Sequence, residues 1–159
     1  METIKKYRLE LDDEKHPILV EEAEYPYAKP LDNPEDVAAL CNSVCRLQHM
    51  AEEYVIMVAV NVRRKVLGIF EISHGSVAKS MCNTRESFIR ALAVGASGIF
   101  ILHNHPTGNP SPSTADLQCA NRLKKAGAIL GIKLIDFLII GTDRVYSWME
   151  EMNRLNETI

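Results

Sequence analysis

Apolar and polar positions alternate roughly through residues 3–10, which predicts an exposed or edge strand. Residues 11–32 carry Pro17, Pro26 and Pro30 among acids and aromatics, and read as an extended arm or loop lying on the domain. Asn33-Pro34-Glu35-Asp36 marks a helix start, with Asn as N-cap, proline at the first helical position and acids in the first turn. The helix is expected to reach His49 and to bury Val37, Leu40, Cys41, Val44, Cys45 and Leu47. Residues 54–62 are rich in valine and isoleucine and predict a strand; Arg63-Arg64-Lys65 is a basic turn, and residues 66–73 form the returning strand. Gly75-Ser76 breaks that strand, and residues 77–82 are expected to be extended. Thr84 caps a helix through Gly95, with Phe88, Ile89, Leu92 and Ala93 on its apolar side. Residues 98–103 are continuously apolar and then turn polar, the pattern of a central strand covered on both faces. Residues 104–113 have loop chemistry, a helix spans 114–130 with Gly131 ending it, and strands follow at 132–140 and 145–148. Strands interleaved with three helices predict an α/β sandwich.

The chain has 159 residues, 47% hydrophobic and 25% charged, which is globular usage and excludes wholesale disorder. One domain over residues 1–159 is expected, with 1–32 as an N-terminal strand and arm packed on it. Lys plus Arg number 18 against 21 Asp plus Glu, a formal net charge of -3. That balance argues against a protein whose main grip on DNA is bulk positive charge, though it leaves room for a local patch. Cys41, Cys45, Cys82 and Cys119 form no CxxC pair and read as reduced thiols. The first residues lack the apolar run of a signal peptide, and the longest apolar runs are strand-sized, far short of a membrane span. A cytoplasmic protein without a membrane partner is the expectation.

Candidate chemistry concentrates in His103-Asn104-His105, seven further residues, Ser113, two more, and Asp116. On an extended segment alternate side chains share a face, so His103 and His105 can address one ion while Asn104 points away. Asp116 falls in the first turn of the next helix, and the proline-rich loop bridges the two pieces. Two imidazoles and one carboxylate leave a fourth tetrahedral position open, the pattern of a catalytic zinc site. Zinc brings the pKa of a bound water down to about 7 and polarises a carbonyl. A capping-box-like start, Ser113-Thr114-Ala115-Asp116, explains Ser113 and Asp116 equally well without any metal.

The spacing His103-x-His105-x7-Ser113-x2-Asp116 resembles the JAMM motif of the MPN/JAB metalloprotease superfamily. The longer stretch from His103 to Ser113, the following Asp-bearing helix and Leu130-Gly131-Ile132-Lys133-Leu134-Ile135-Asp136 look like its RadC-like branch, over residues 52–147. The fold this implies is a cytidine-deaminase-like, curved mixed sheet with helices on both faces. The resemblance implies a zinc-dependent hydrolase of peptide or isopeptide bonds, with one zinc held by His103, His105 and Asp116. It further implies Ser113 as the donor that steadies an oxyanion, and an upstream glutamate as general base. Glu52, just before the strand at residue 54, best matches that position; Glu53 points to the opposite face, and Glu71 on the following strand is a third candidate. The branch usually carries Ser where Thr107 stands, Asp near Asn109, Pro-Arg-Glu at Thr84-Arg85-Glu86, and His at Phe137. None of these is a proposed ligand.

A contiguous His-Asn-His tripeptide is not the dispersed motif of HNH nucleases, and the zinc deaminase pattern is absent. His16, His49 and His74 read as surface residues, and Cys41, Cys45 and Cys119 as core packing. Two other classes stand beside the hydrolase: a RadC-type accessory protein of DNA repair with a non-catalytic metal site, and an interaction module using a sheet edge. The expected partner is a peptide or protein substrate, with oligomeric state open.

Overall fold

The apolar run that begins at Tyr54 and the one that begins at Gly98 become adjacent antiparallel strands, β3 (Glu53–Val60) and β5 (Gly98–Asn104). Every residue of β5 is buried, as a strand flanked and covered on both faces requires. In this computed structural model, which describes residues 2–27, 30–75 and 83–158, these two strands lie within a seven-stranded sheet. The other strands are β1 (Thr3–Leu11), β2 (Pro17–Pro26), β4 (Val66–Gly75), β6 (Lys133–Ile140) and β7 (Val145–Ser147). Their spatial order is β2-β1-β4-β3-β5-β6-β7. The β1–β4 and β5–β6 pairs are parallel and the remaining neighbours antiparallel, so the sheet is mixed.

Strand alternation sends successive side chains into two cores. On one face Ile56, Val58, Val60, Phe100, Leu102, Leu138 and Ile140 meet Val37, Ala38, Cys41 and Val44 of helix α1 (Pro34–Cys45). On the other, Val55, Met57, Ala59, Ile99, Ile101, Phe137 and Ile139 meet α2 (Thr84–Ala93), α3 (Thr114–Leu130) and Trp148. Helices therefore cover both faces, as the α/β expectation requires. Each fully buried aliphatic side chain contributes about 1.5–3 kcal/mol relative to exposure.

The structure departs from the sequence expectation in identifiable places. Much of the arm is β2, paired antiparallel with β1 from Thr3–Pro26 to Leu11–Pro17. Its two prolines stand at the strand ends and on a sheet edge, where a missing N–H costs no ladder bond. Helix α1 stops at Cys45 because Arg46 takes a left-handed conformation (φ 51°), and Leu47–His49 is a separate 3-10 turn. Val62 lies beyond β3 and is exposed. The expected extended segment at 77–82, with Cys82, lies outside the described residues.

A fourth helix, α4 (Trp148–Glu157), follows β7 where only a last strand was expected. Its signal is Ser147-x-x-Glu150: the Ser147 hydroxyl accepts from the Glu150 amide, and Glu150 and Glu151 are acids in the first turn. The same hydroxyl donates at 2.5 Å to buried Asp136 of β6, which also accepts from the amides of Met149 and Phe137. Burial pushes the Asp136 carboxyl above its ordinary range, and these three donors recover part of that shift. Ser147→Ala removes a cap and a buried donor together. We expect a loss of about 1–3 kcal/mol in urea unfolding, with the fold retained.

Candidate metal centre

His103 sits near the end of β5, opposite Val55 of β3 and Ile139 of β6, and its ring is fully buried. His105 follows where β5 has ended, with its amide N–H donating to the Ile140 carbonyl at 3.2 Å. Asp116 lies in the first turn of α3, 1% exposed. The three side chains converge: one nitrogen or oxygen from each lies within 4.8 Å of the others.

The atoms in that cluster are unevenly satisfied. Asp116 Oδ2 accepts from the Ser113 amide at 2.6 Å and from the Ser113 hydroxyl at 2.8 Å. The Asp116 amide donates back to the Ser113 hydroxyl at 3.2 Å, completing a capping box. Asp116 Oδ1 has no hydrogen-bond partner, although His103 Nε2 is 2.9 Å away. That close approach lacks hydrogen-bond alignment, and His103 Nε2 is likewise unpartnered. His105 Nδ1 must donate to the Asn109 carbonyl at 2.7 Å, since a carbonyl only accepts; in the neutral imidazole this puts the lone pair on Nε2, 3.4 Å from Asp116 Oδ2.

A buried nitrogen of His103, a half-buried nitrogen of His105 and a bare, buried carboxylate oxygen match the donor set that a divalent ion of the zinc type takes. Buried polar atoms without partners cost about 1–3 kcal/mol each, so an arrangement that leaves several together calls for a ligand. Burial raises the Asp116 carboxyl, but the His103 imidazole and the Ser113 amide and hydroxyl outweigh it and hold the pKa at about 2.

The loop between His105 and Ser113 is held by close packing. Gly108 has φ +81°, and a Cβ there would lie 2.2 Å from Thr142 Oγ1. The Thr142 amide donates to the Gly108 carbonyl at 2.9 Å, and Gln48 Nε2 donates to the Thr142 carbonyl at 2.7 Å. A Cβ on Gly141 would come 2.5 Å from the Gly108 carbonyl oxygen. The 105–113 segment is therefore anchored to the β6–β7 turn.

Glu53, not Glu52, is the acid brought to this centre. Glu53 shares its face of β3 with Val55, Met57 and Ala59, which pack toward α3. Its Oε2 is 3.7 Å from His103 Nδ1, and both atoms are buried without a hydrogen-bond partner. Glu52 is exposed, and what it contributes is a backbone carbonyl that accepts from Asn104 Nδ2 at 2.9 Å. Glu71 is engaged with His74 at 2.6 Å, on a strand separated from β5 by β3. His16, His49 and His74 are exposed, while Cys41 and Cys119 are buried.

A mixed sheet clad by helices, with a His-x-His strand end facing an aspartate at a helix start, defines an α/β domain carrying a cluster that could hold a metal ion. The model of the RadC-like JAB domain matches residues 31–154, and the chain belongs to that family. It is 40% identical over 119 residues to a UPF0758 protein of Caldanaerobacter subterraneus, covering 75% of this chain and 50% of that protein. A UPF0758 protein of Desulfitobacterium hafniense is 37% identical over 126 residues, 79% of this chain and 55% of that one. One from Moorella thermoacetica is 40% identical over 123 residues, 77% and 52%. The chain thus spans about half the length of the curated relatives it matches.

The sign of the acid response follows from Asp116. Its depressed folded-state pKa means that its interactions stabilise the metal-free protein above the unfolded value of about 3.9, and that this contribution is lost as pH falls through about 2. Acid unfolding followed by circular dichroism should show Asp116→Asn converging with the unmutated chain below that window and less stable above it.

Proposed function

We propose that the chain is a zinc-dependent metallohydrolase acting on peptide or isopeptide bonds. The observation that carries this reading is the bare, buried pair of His103 Nε2 and Asp116 Oδ1, at 2.9 Å, beside the free Nε2 of His105. Membership in a JAB family supports it. His103, His105 and Asp116 would hold one zinc per chain. When bound, the ion supplies Lewis acidity, polarising a carbonyl and making water acidic enough to react near neutral pH.

The chain's own residues divide the remaining work. Glu53 is the base: a carboxylate beside the cluster takes the proton from the attacking water and returns it to the departing amine. Ser113 fits the orientation of Asp116 better than the oxyanion role its motif position implies, because its one hydroxyl proton is already given to Oδ2. The Asn109 carbonyl keeps His105 in the tautomer whose Nε2 faces inward. Phe137, with its ring 5.9 Å from that of His103, supplies an apolar wall.

A peptide or protein is the substrate class this chemistry needs. Free thiols at Cys41 and Cys45 support a reducing, cytoplasmic setting. Among the described residues, no helix is long and apolar enough to cross a membrane.

Metal analysis of the full chain after zinc loading should find one equivalent, lost in His103→Ala and in Asp116→Ala. At saturating zinc, Glu53→Gln should keep the metal. It should lower cleavage of a mixed fluorogenic peptide pool and a lysine-branched isopeptide by about 10²–10⁴-fold, while Glu52→Gln leaves both rates unchanged. Failure of the unmutated chain to retain zinc would sink the proposal, as would equal effects of the two glutamine substitutions.

A further inference from the structure

The middle residue of the His103-Asn104-His105 tripeptide is buried, 2% exposed, and points to the face opposite His103, away from the metal ligands. Its amide is nonetheless fully used. Asn104 Oδ1 accepts from the Tyr54 amide at 2.8 Å, and Nδ2 donates to the Glu52 carbonyl at 2.9 Å. A longer contact, 3.4 Å, runs from Nδ2 to the Met50 carbonyl. The carbonyl of Glu52 and the N–H of Tyr54 belong to the two peptide units that flank Glu53. One side chain therefore grips the backbone on both sides of the acid.

The grip stands where the sheet itself gives out. Paired residues between β3 and β5 end at Val55–His103. Beyond that pair, the strand end that carries Glu53 is tied toward β5 by the Asn104 amide. The residue type suits this task. One planar group must present an acceptor to an N–H and a donor to a carbonyl. Aspartate lacks the donor, serine cannot span both groups, and glutamine is one methylene too long.

We propose that Asn104 is the positioning residue that sets Glu53 against the metal centre, so that a single tripeptide supplies two ligands and the anchor of the acid. This rests on the metal-centre reading and deepens it: Asn104 acts only through Glu53. The consequence reaches the metal because the Glu53 carboxylate lies 3.7 Å from His103 Nδ1, not hydrogen-bonded to it but close enough for its negative charge to favour a bound cation.

The test is a double-mutant cycle on zinc affinity, measured on the full metal-free chain by competition with a chromophoric chelator. Glu53→Gln, by removing a negative charge beside the cluster, should weaken zinc binding about tenfold. Asn104→Ala should weaken it several-fold in the same direction, and adding Asn104→Ala to Glu53→Gln should change nothing further. A merely structural role for Asn104 would instead multiply the two effects; that result, or an unchanged affinity in Asn104→Ala, overturns the proposal. If Asn104→Ala does not fold, Asn104→Ser enters the same cycle. In the unmutated chain, the Tyr54 amide and the Asn104 side-chain protons should exchange slowly with solvent; fast exchange overturns the proposal without any substitution. An unmutated chain that binds no zinc removes the metal-centre reading itself, an outcome distinct from additivity in a chain that does bind.

Discussion

A carboxylate and an imidazole buried side by side without a hydrogen bond between their facing atoms is the constraint on which this architecture turns. Removing a charged group from water costs several kcal/mol unless partners replace its hydration. Asp116 meets that cost with one oxygen only. Oδ2 receives the amide and hydroxyl of Ser113, and the carboxylate stands in the first turn of a helix, where the macrodipole favours negative charge. Oδ1 is left to the interior. The capping box and the ligand role are therefore not rivals. The cap stabilises the fold with one oxygen and aims the other.

Two neighbouring segments, the end of β5 and the start of α3, meet a third that is distant in sequence, and each is held by rigid structure. β5 is the most enclosed strand, so His103 has little freedom of direction. The start of α3 is set by its cap, and the intervening loop is locked where Gly108 and Gly141 allow backbone and side chain to come closer than any Cβ would permit. The end of β3 brings Glu53. Metal sites need placement within about half an ångström, and sites built on strands and capped helices achieve it more readily than free loops do.

The parts that were legible in the sequence are those whose signal is local. The run at 98–103, the start of α3 at Ser113, its end at Gly131, and the His103, His105 and Asp116 set all declare themselves within short windows of sequence. What escaped depends on partners elsewhere. β2 becomes a strand only because β1 is there to pair with it, and its prolines look like a loop until they are placed at an edge. α4 does carry a local start signal at Ser147 and Glu150, but its brevity and polar composition hide it beside a three-residue strand. The choice between Glu52 and Glu53 is a question of parity. Alternation shows that only one can face the site, yet which one follows from the pairing of Val55 with His103, a long-range register that no window of sequence contains.

The matched family region, residues 31–154, contains every element of the candidate centre, whereas the β1–β2 hairpin lies outside it. The hairpin adds to β4 through the parallel β1–β4 pair, covering the side of the sheet away from the metal cluster. An uncovered β4 would present a row of free N–H and C=O groups, which invites another chain to pair. β2 takes over that exposed position with features that discourage such pairing: prolines at both ends, and Lys5–Glu21, Lys6–Glu22 and Arg8–Glu22 ion pairs across the hairpin. Exposed pairs of this kind contribute at most about 1 kcal/mol to stability. Their weight lies in specificity, because a strand approaching β2 must disturb charges already matched. The hairpin thus closes one edge of the sheet by electrostatics, and the candidate cluster stays at the ends of the more central strands β3 and β5, whose pairing the hairpin does not disturb.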